Sequence, residues 1–221
     1  MGGGRKKLNQ TLSEQAYQRI KLGILRGEFR ESTFLSEAEV ADKYGIGHTP
    51  FREACNRLLK NHILEIVPRR GFLVPELSFR AVRDLLETRL IIETIAAEIA
   101  ASRSEPWEVK ELERLYDNEV RCAVERENLE AIVESHREFH LQIARMTHNR
   151  EVERLLRSIM ERMERFSYMI VRSSRPSDSE FLHKSILEAV IQRNPLAARQ
   201  AVFQDITRGQ LSALAGEPTD A

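Results

Sequence analysis

The segment from Leu35 to Val74 constrains the fold more tightly than any other part of this chain. Ser36-Glu37-Ala38-Glu39-Val40-Ala41 reads as the start of a short helix. Tyr44-Gly45-Ile46-Gly47 breaks it, and His48-Thr49-Pro50-Phe51-Arg52-Glu53 opens a second helix that runs to Asn61-His62. Pro50 costs little in that first turn, where its missing N–H would have no helical partner. Leu64 to Val67 and Phe72 to Val74 then flank a turn at Arg69-Arg70-Gly71. Two short helices joined by a glycine-containing turn, followed by a basic-tipped two-strand hairpin, describe a winged helix-turn-helix, an architecture that reads double-stranded DNA.

A further helix is expected ahead of this segment, over about Leu12 to Arg26, with Ser13 near its N-cap and Gly27 closing it. Its apolar residues Leu12, Ala16, Ile20 and Ile24 recur every four positions, and Phe51, Ala54, Cys55, Leu58 and Leu59 keep helical spacing. With Val40, Ala41 and Tyr44 these faces can close a small core. The net charge of zero hides an asymmetry: residues 1–75 hold 13 Lys+Arg against 8 Asp+Glu, and residues 76–221 hold 21 against 26. A head of +5 on a body of −5 suits a protein that touches phosphate with one end only.

Cys55 and Cys122 are isolated, without metal or disulfide spacing, and Cys55 reads as a small core residue. No signal peptide and no membrane-spanning apolar run is visible, so the expected location is cytoplasmic. Residues 1–9 are expected to form a flexible basic arm and 10–75 the DNA-binding domain. Pro75 and Ser78 mark the boundary to an all-α body over 76–215, and 216–221 form a frayed tail. Within the body six helices are expected, over about 78–102, 105–126, 129–147, 150–172, 178–192 and 195–214. The fold class is therefore mainly α, a winged helix-turn-helix joined to a six-helix bundle.

In the head, His48, Thr49, Arg52 and Asn56 lie on the N-terminal half of the expected recognition helix. Arg52 is the best base reader, since arginine grips guanine O6 and N7 with two hydrogen bonds. Thr49 can cap the helix, touch phosphate, or do both. Arg69, Arg70 and Gly71 form the wing turn, whose arginines can reach backbone or minor groove.

These residues carry a resemblance. Gly27-x-Phe29, Leu35-Ser36-Glu37, Val40-Ala41, Gly45-Ile46, Thr49-Pro50-Phe51-Arg52-Glu53-Ala54, Arg57-Leu58 and Pro68-x-Arg70-Gly71-x-x-Val74 resemble the GntR family of bacterial transcription regulators. The family usually places Ser-Arg ahead of Thr-Pro, and here Gly47-His48 stand there, so the operator is expected to differ. The six-helix body resembles the FCD effector domain of the FadR-type branch, in its shorter, VanR-like form. In that domain an Asp four residues ahead of a His shares a metal with two later histidines. Here the corresponding positions are His136, His140, His183 and Asp205, with the first and last residue types exchanged.

By spacing alone, His136 and His140 share one helix face and read most simply as a solvated surface pair. The resemblance turns them into metal ligands with His183 and Asp205, and such a donor set suits Zn, Ni, Fe, Mn or Co. Asp205 could instead orient a ligand histidine. Arg89 and Glu93 fall on the stripe marked by Val82 and Leu86, where charges need partners. They form either an i,i+4 ion pair or, as the resemblance implies for Arg89, an effector-binding pair, with Asn149 a further pocket candidate. His62 and His148 read as loop histidines.

Together these readings predict a homodimeric, metabolite-responsive regulator, a repressor on a palindromic operator, that binds a small organic acid at its metal. A metal sensor is the alternative. A metallo-enzyme is disfavoured, because the sequence offers no nucleophile motif and no acid–base partner.

Overall fold

The computed structural model describes residues 11–125, 128–173 and 183–214. The expected arm over 1–9, the tail over 216–221 and the expected helix start at 178 lie outside these residues. The chain divides into two compact units, Met1–Leu77 and Ser78–Ala221.

The first unit contains α1 (Leu12–Leu25), β1 (Thr33–Phe34), α2 (Glu37–Tyr44), α3 (His48–Lys60), β2 (Glu65–Val67) and β3 (Gly71–Val74). Thr11, not Ser13, caps α1: its side chain accepts from the Glu14 backbone N–H, while the Ser13 hydroxyl donates to Glu53. Ser36 caps α2 through the Glu39 N–H, and Gly45 closes it at φ 66°, a left-handed value that glycine adopts without strain. The expected two-strand ribbon has a third strand. β1 pairs antiparallel with β3, placing Thr33 opposite Val74 and Phe34 opposite Leu73, so the sheet order is β1-β3-β2. A two-residue strand carries too little alternation to announce itself in sequence.

One core holds this unit together. Ala16, Tyr17, Ile20 and Ile24 of α1 meet Phe51, Ala54, Cys55 and Leu58 of α3 over Phe72 and Val74. The Phe51 and Phe72 rings meet edge to face at 5.9 Å and tie the recognition helix to the wing. Val40 is buried but Ala41 is exposed and stands outside this core. Burial pushes the Cys55 thiol up to about 12, which makes it an inert core residue. At the surface Arg57 lies 4.0 Å over the Tyr17 ring and donates to Glu14, and Asn61 donates to the Tyr17 hydroxyl, locking α3 against α1.

The second unit is all helical among the described residues: α4 (Phe79–Arg103), α5 (Pro106–Glu125), α6 (Leu129–Arg145), α7 (Arg150–Ser173), α8 (Lys184–Ile191) and α9 (Pro195–Leu214). Ser78 caps α4 through the Ala81 N–H. Ala96, Ala97, Ala100 and Ala101 give α4 a small-residue face, and Ala198, Val202 and Ile206 give α9 a buried stripe at helical spacing. α4 packs chiefly on α9 and also against α6, α7 and α8. No helix among the described residues is long and apolar enough to cross a membrane.

Gly23 supplies a test of head packing. A Cβ there would lie 2.5 Å from the Tyr44 hydroxyl and 2.6 Å from the Phe29 ring. Tyr44 is held by Glu28 at 2.9 Å, and Phe29 is buried. Gly→Ala inside a helix ordinarily stabilises by about 1 kcal/mol. Gly23→Ala is expected to reverse that sign and cost about 1–3 kcal/mol, read as a lowered urea midpoint with an unchanged slope.

Candidate metal centre and nucleic-acid interface

In the second unit, charged residues on otherwise apolar stripes converge. On α4, Val82, Leu86, Arg89 and Glu93 repeat at helical spacing, and all are buried. On α5 the same stripe reads Glu108, Leu112, Leu115 and Glu119. On α6, His136 and His140 lie one turn apart beside Phe139. His183 stands just ahead of α8. Its backbone carbonyl accepts from Leu187 while its side chain makes no cap bond, so the ring is free to turn inward. Asp205 sits beside Ile206 on the buried stripe of α9, its side chain 7% exposed.

The three imidazoles come together with ligand atoms all within 4.8 Å of one another. Ring centroids are 4.7 Å apart for His136–His140, 4.8 Å for His136–His183 and 4.6 Å for His140–His183. Phe139 stacks flat on His183 at 4.3 Å and fixes that ring's plane. The Asp205 carboxylate stands outside the three-imidazole group, 3.6 Å from His140 Nε2 and 3.8 Å from His183 Nε2.

Carboxylates hold the back of each ring. Glu119 accepts from His183 Nδ1 at 2.6 Å and contacts His136 Nδ1 at 3.3 Å, one oxygen for each. Its role was missed by sequence reasoning, although its place on the Leu112–Leu115 stripe gives the same signal that singled out Arg89. His140 Nδ1 lies 2.5 Å from the Glu93 carboxylate. Glu93 also accepts from Arg89 Nε at 2.5 Å. Glu93 thus engages His140 with one oxygen and Arg89 with the other, and its contact with Arg89 is the i,i+4 ion pair that the sequence allowed. Arg89 reaches the pocket edge, with one guanidinium nitrogen 3.4 Å from His140 Nε2.

The electrostatics follow from this arrangement. Burial alone would raise Glu93 and Glu119, yet Arg89 and His140 hold the first, and His183 and His136 the second, well below the usual carboxylate range. Burial pushes His140 down to about 4 against the pull of Glu93. For His183, Glu119 and Asp205 outweigh burial and raise it. His183 Nε2 is buried with no hydrogen-bond partner. An orphaned ring nitrogen in a histidine cluster, with carboxylates behind the rings, fits a divalent transition ion.

The remaining predicted residues lie elsewhere. Asn149 is exposed and caps α7, its side-chain oxygen accepting from the Glu151 N–H at 3.0 Å. His148 is more than a loop residue: Nε2 contacts buried Glu108 at 2.9 Å and pins the α6–α7 turn to α5.

In the first unit, His48, Thr49, Arg52 and Asn56 all face solvent, opposite buried Phe51, Ala54, Cys55 and Leu58. Gly47 at the N-cap offers no side-chain bond, leaving the first N–H groups of α3 open to a phosphate. In the wing turn Arg69 takes φ 65° and Gly71 φ 104°. Both wing arginines are exposed, but the Arg70 guanidinium is stacked 4.3 Å over Phe34 of β1, leaving Arg69 at the turn itself.

Family models match both units. The model for bacterial regulatory proteins of the gntR family covers residues 12–74, and the FCD domain covers 84–208. The chain belongs to the GntR family. It is a transcription regulator of that family, with a helix-turn-helix head and an FCD body. It is similar to the HTH-type transcriptional repressor RspR of Escherichia coli, 26% identical over 198 residues, 89% of this chain and 86% of that protein. The Nta operon transcriptional regulator of Aminobacter aminovorans is 28% identical over 171 residues, 77% of this chain and 80% of its own length. Among solved structures, Escherichia coli McbR/YncC shares the fold with a TM-score of 0.74 at 20% identity, covering 93% of this chain and 98% of that one.

Glu119→Gln keeps the size of the side chain but weakens its hold on two rings, and is expected to lower Zn²⁺ affinity about 10–100-fold by calorimetric titration of metal-free protein. His140→Ala removes a ligand atom and should abolish metal retention through purification, measured by elemental analysis. Full retention in both variants would rule out this centre.

Proposed function

We propose that this GntR-family regulator is a homodimeric repressor that acts in the cytoplasm, holds a divalent metal in its FCD body and releases or grips DNA in response to a small organic acid. The observation that carries the reading is the convergence of His136, His140 and His183, backed by Glu119 and Glu93, in a unit separate from a DNA-reading head. The three imidazoles would hold the ion, with Asp205 as a fourth ligand or as a support for His140 and His183. When bound, the metal supplies a Lewis-acidic site at which a carboxylate oxygen can coordinate. Arg89 stands at the edge of the same pocket, where a guanidinium can also meet a carboxylate.

In the head, Arg52 is proposed to read a base and Thr49 and Asn56 to position α3. Arg69 and Arg70 would extend the contact to backbone or minor groove, and Gly71 permits the turn that presents them. Two heads in a dimer require a palindromic operator. Repression is supported by similarity to RspR, a named repressor. An effector acts here by binding one state of the dimer better than the other.

One observation favours a second reading, in which the metal itself is the signal: Arg89 is already engaged by Glu93 at 2.5 Å and is not a wholly free carboxylate receptor. Titrating operator duplex with metal-free and Zn²⁺-loaded protein, each with and without a panel of small mono- and dicarboxylates, separates the two. Under the first reading the acids shift DNA affinity only in the loaded protein, whereas a shift on metal loading alone selects the second. No shift in any arm would remove effector control altogether. Arg52→Ala is expected to weaken operator binding by about 1–3 kcal/mol and to relax one position of the site; an unchanged affinity and footprint would end its role as a reader.

A further inference from the structure

His48 and Glu37 meet at the start of the two helices of the motif. Glu37 opens α2, His48 opens α3, and both Glu37 oxygens lie 2.8 Å from His48 Nδ1. A carboxylate only accepts hydrogen bonds, so Nδ1 must carry the proton and donate. In the neutral ring the other nitrogen, Nε2, is then a lone-pair acceptor on the opposite edge. The His48 side chain is 66% exposed, so the contact fixes the ring without burying it. It lies one helical turn before Arg52, on the exposed face of α3.

We infer that Glu37 makes His48 a specificity determinant that accepts a hydrogen bond from adenine N6 or cytosine N4 in the major groove. The inference rests on the proposed role of α3 as the helix that enters that groove. Guanine presents only acceptors on its major-groove edge, and thymine an acceptor and a methyl group, so neither can donate to Nε2. An arginine at the same place, carrying donors only, reads guanine instead. The base preference of this position is therefore set by a carboxylate on the neighbouring helix that need not touch DNA itself. The contact also joins α2 to α3 at their N-termini, so the ring is aimed before DNA arrives.

The test is selection from a randomised duplex library at pH 8, where free imidazole is neutral, using the full chain as wild type, His48→Arg and Glu37→Gln. Wild type is expected to fix one position of each half, with adenine or cytosine on the strand that carries guanine in the His48→Arg site. His48→Arg should change that position to guanine and leave the rest of the site intact. Glu37→Gln, whose amide can donate as well as accept, should release the ring's tautomer and reduce the preference there at least about fivefold. An unchanged site in His48→Arg overturns the inference, as does guanine or thymine in the wild type on the strand where His48→Arg selects guanine, or a Glu37→Gln preference equal to wild type. Failure of the wild type to enrich any sequence overturns DNA reading by this head, and this inference with it.

Discussion

Glu119 holds two imidazoles from two different parts of the chain, and the proposed chemistry of the body depends on those contacts. His136 comes from α6 and His183 from the residue ahead of α8, and the carboxylate between them sets both rings by their Nδ1 atoms. Glu93 supports His140 from α4 in a similar way while neutralising Arg89. Buried charge of this density is expensive when unpartnered, and replacing it with apolar residues would often stabilise a bundle. Its presence among Phe139, Leu112 and Leu115 is what the proposed metal centre accounts for.

The exchange of residue types at positions 136 and 205 gains a physical meaning here. An imidazole at 136 brings a donor that Glu119 can orient, and the carboxylate at 205 faces two Nε2 atoms from a distance of 3.6 to 3.8 Å. That separation leaves Asp205 able to close on an ion or to steady the rings around it. The site is thus richer in nitrogen where α6 contributes and richer in oxygen where α9 contributes.

The head works on a different principle. Its stability comes from one apolar core, and its polar groups are left on the surface, held by light contacts that orient without burying them. Arg57 over Tyr17, Arg70 over Phe34 and His48 on Glu37 are all of this kind. Each keeps a solvent-facing side chain, or its helix, in place at little desolvation cost. The body buries carboxylates against imidazoles, whereas the head leaves its donors and acceptors on the surface.

Local pattern was enough for the helices, for the break at Gly45, for the cap at Ser78, and for placing His48, Thr49, Arg52 and Asn56 on α3. These features depend on residues within a turn or two of each other, where spacing and side-chain chemistry act directly. The family motifs likewise made the histidine set visible, because each motif lies within one helix. Only the tertiary structure decided that Glu119 meets His183 across 64 positions, that Glu93 serves His140 and that β1 completes the wing. Those pairings depend on how helices pack, and packing is fixed by the whole core at once, not by the periodicity of any one strand or helix.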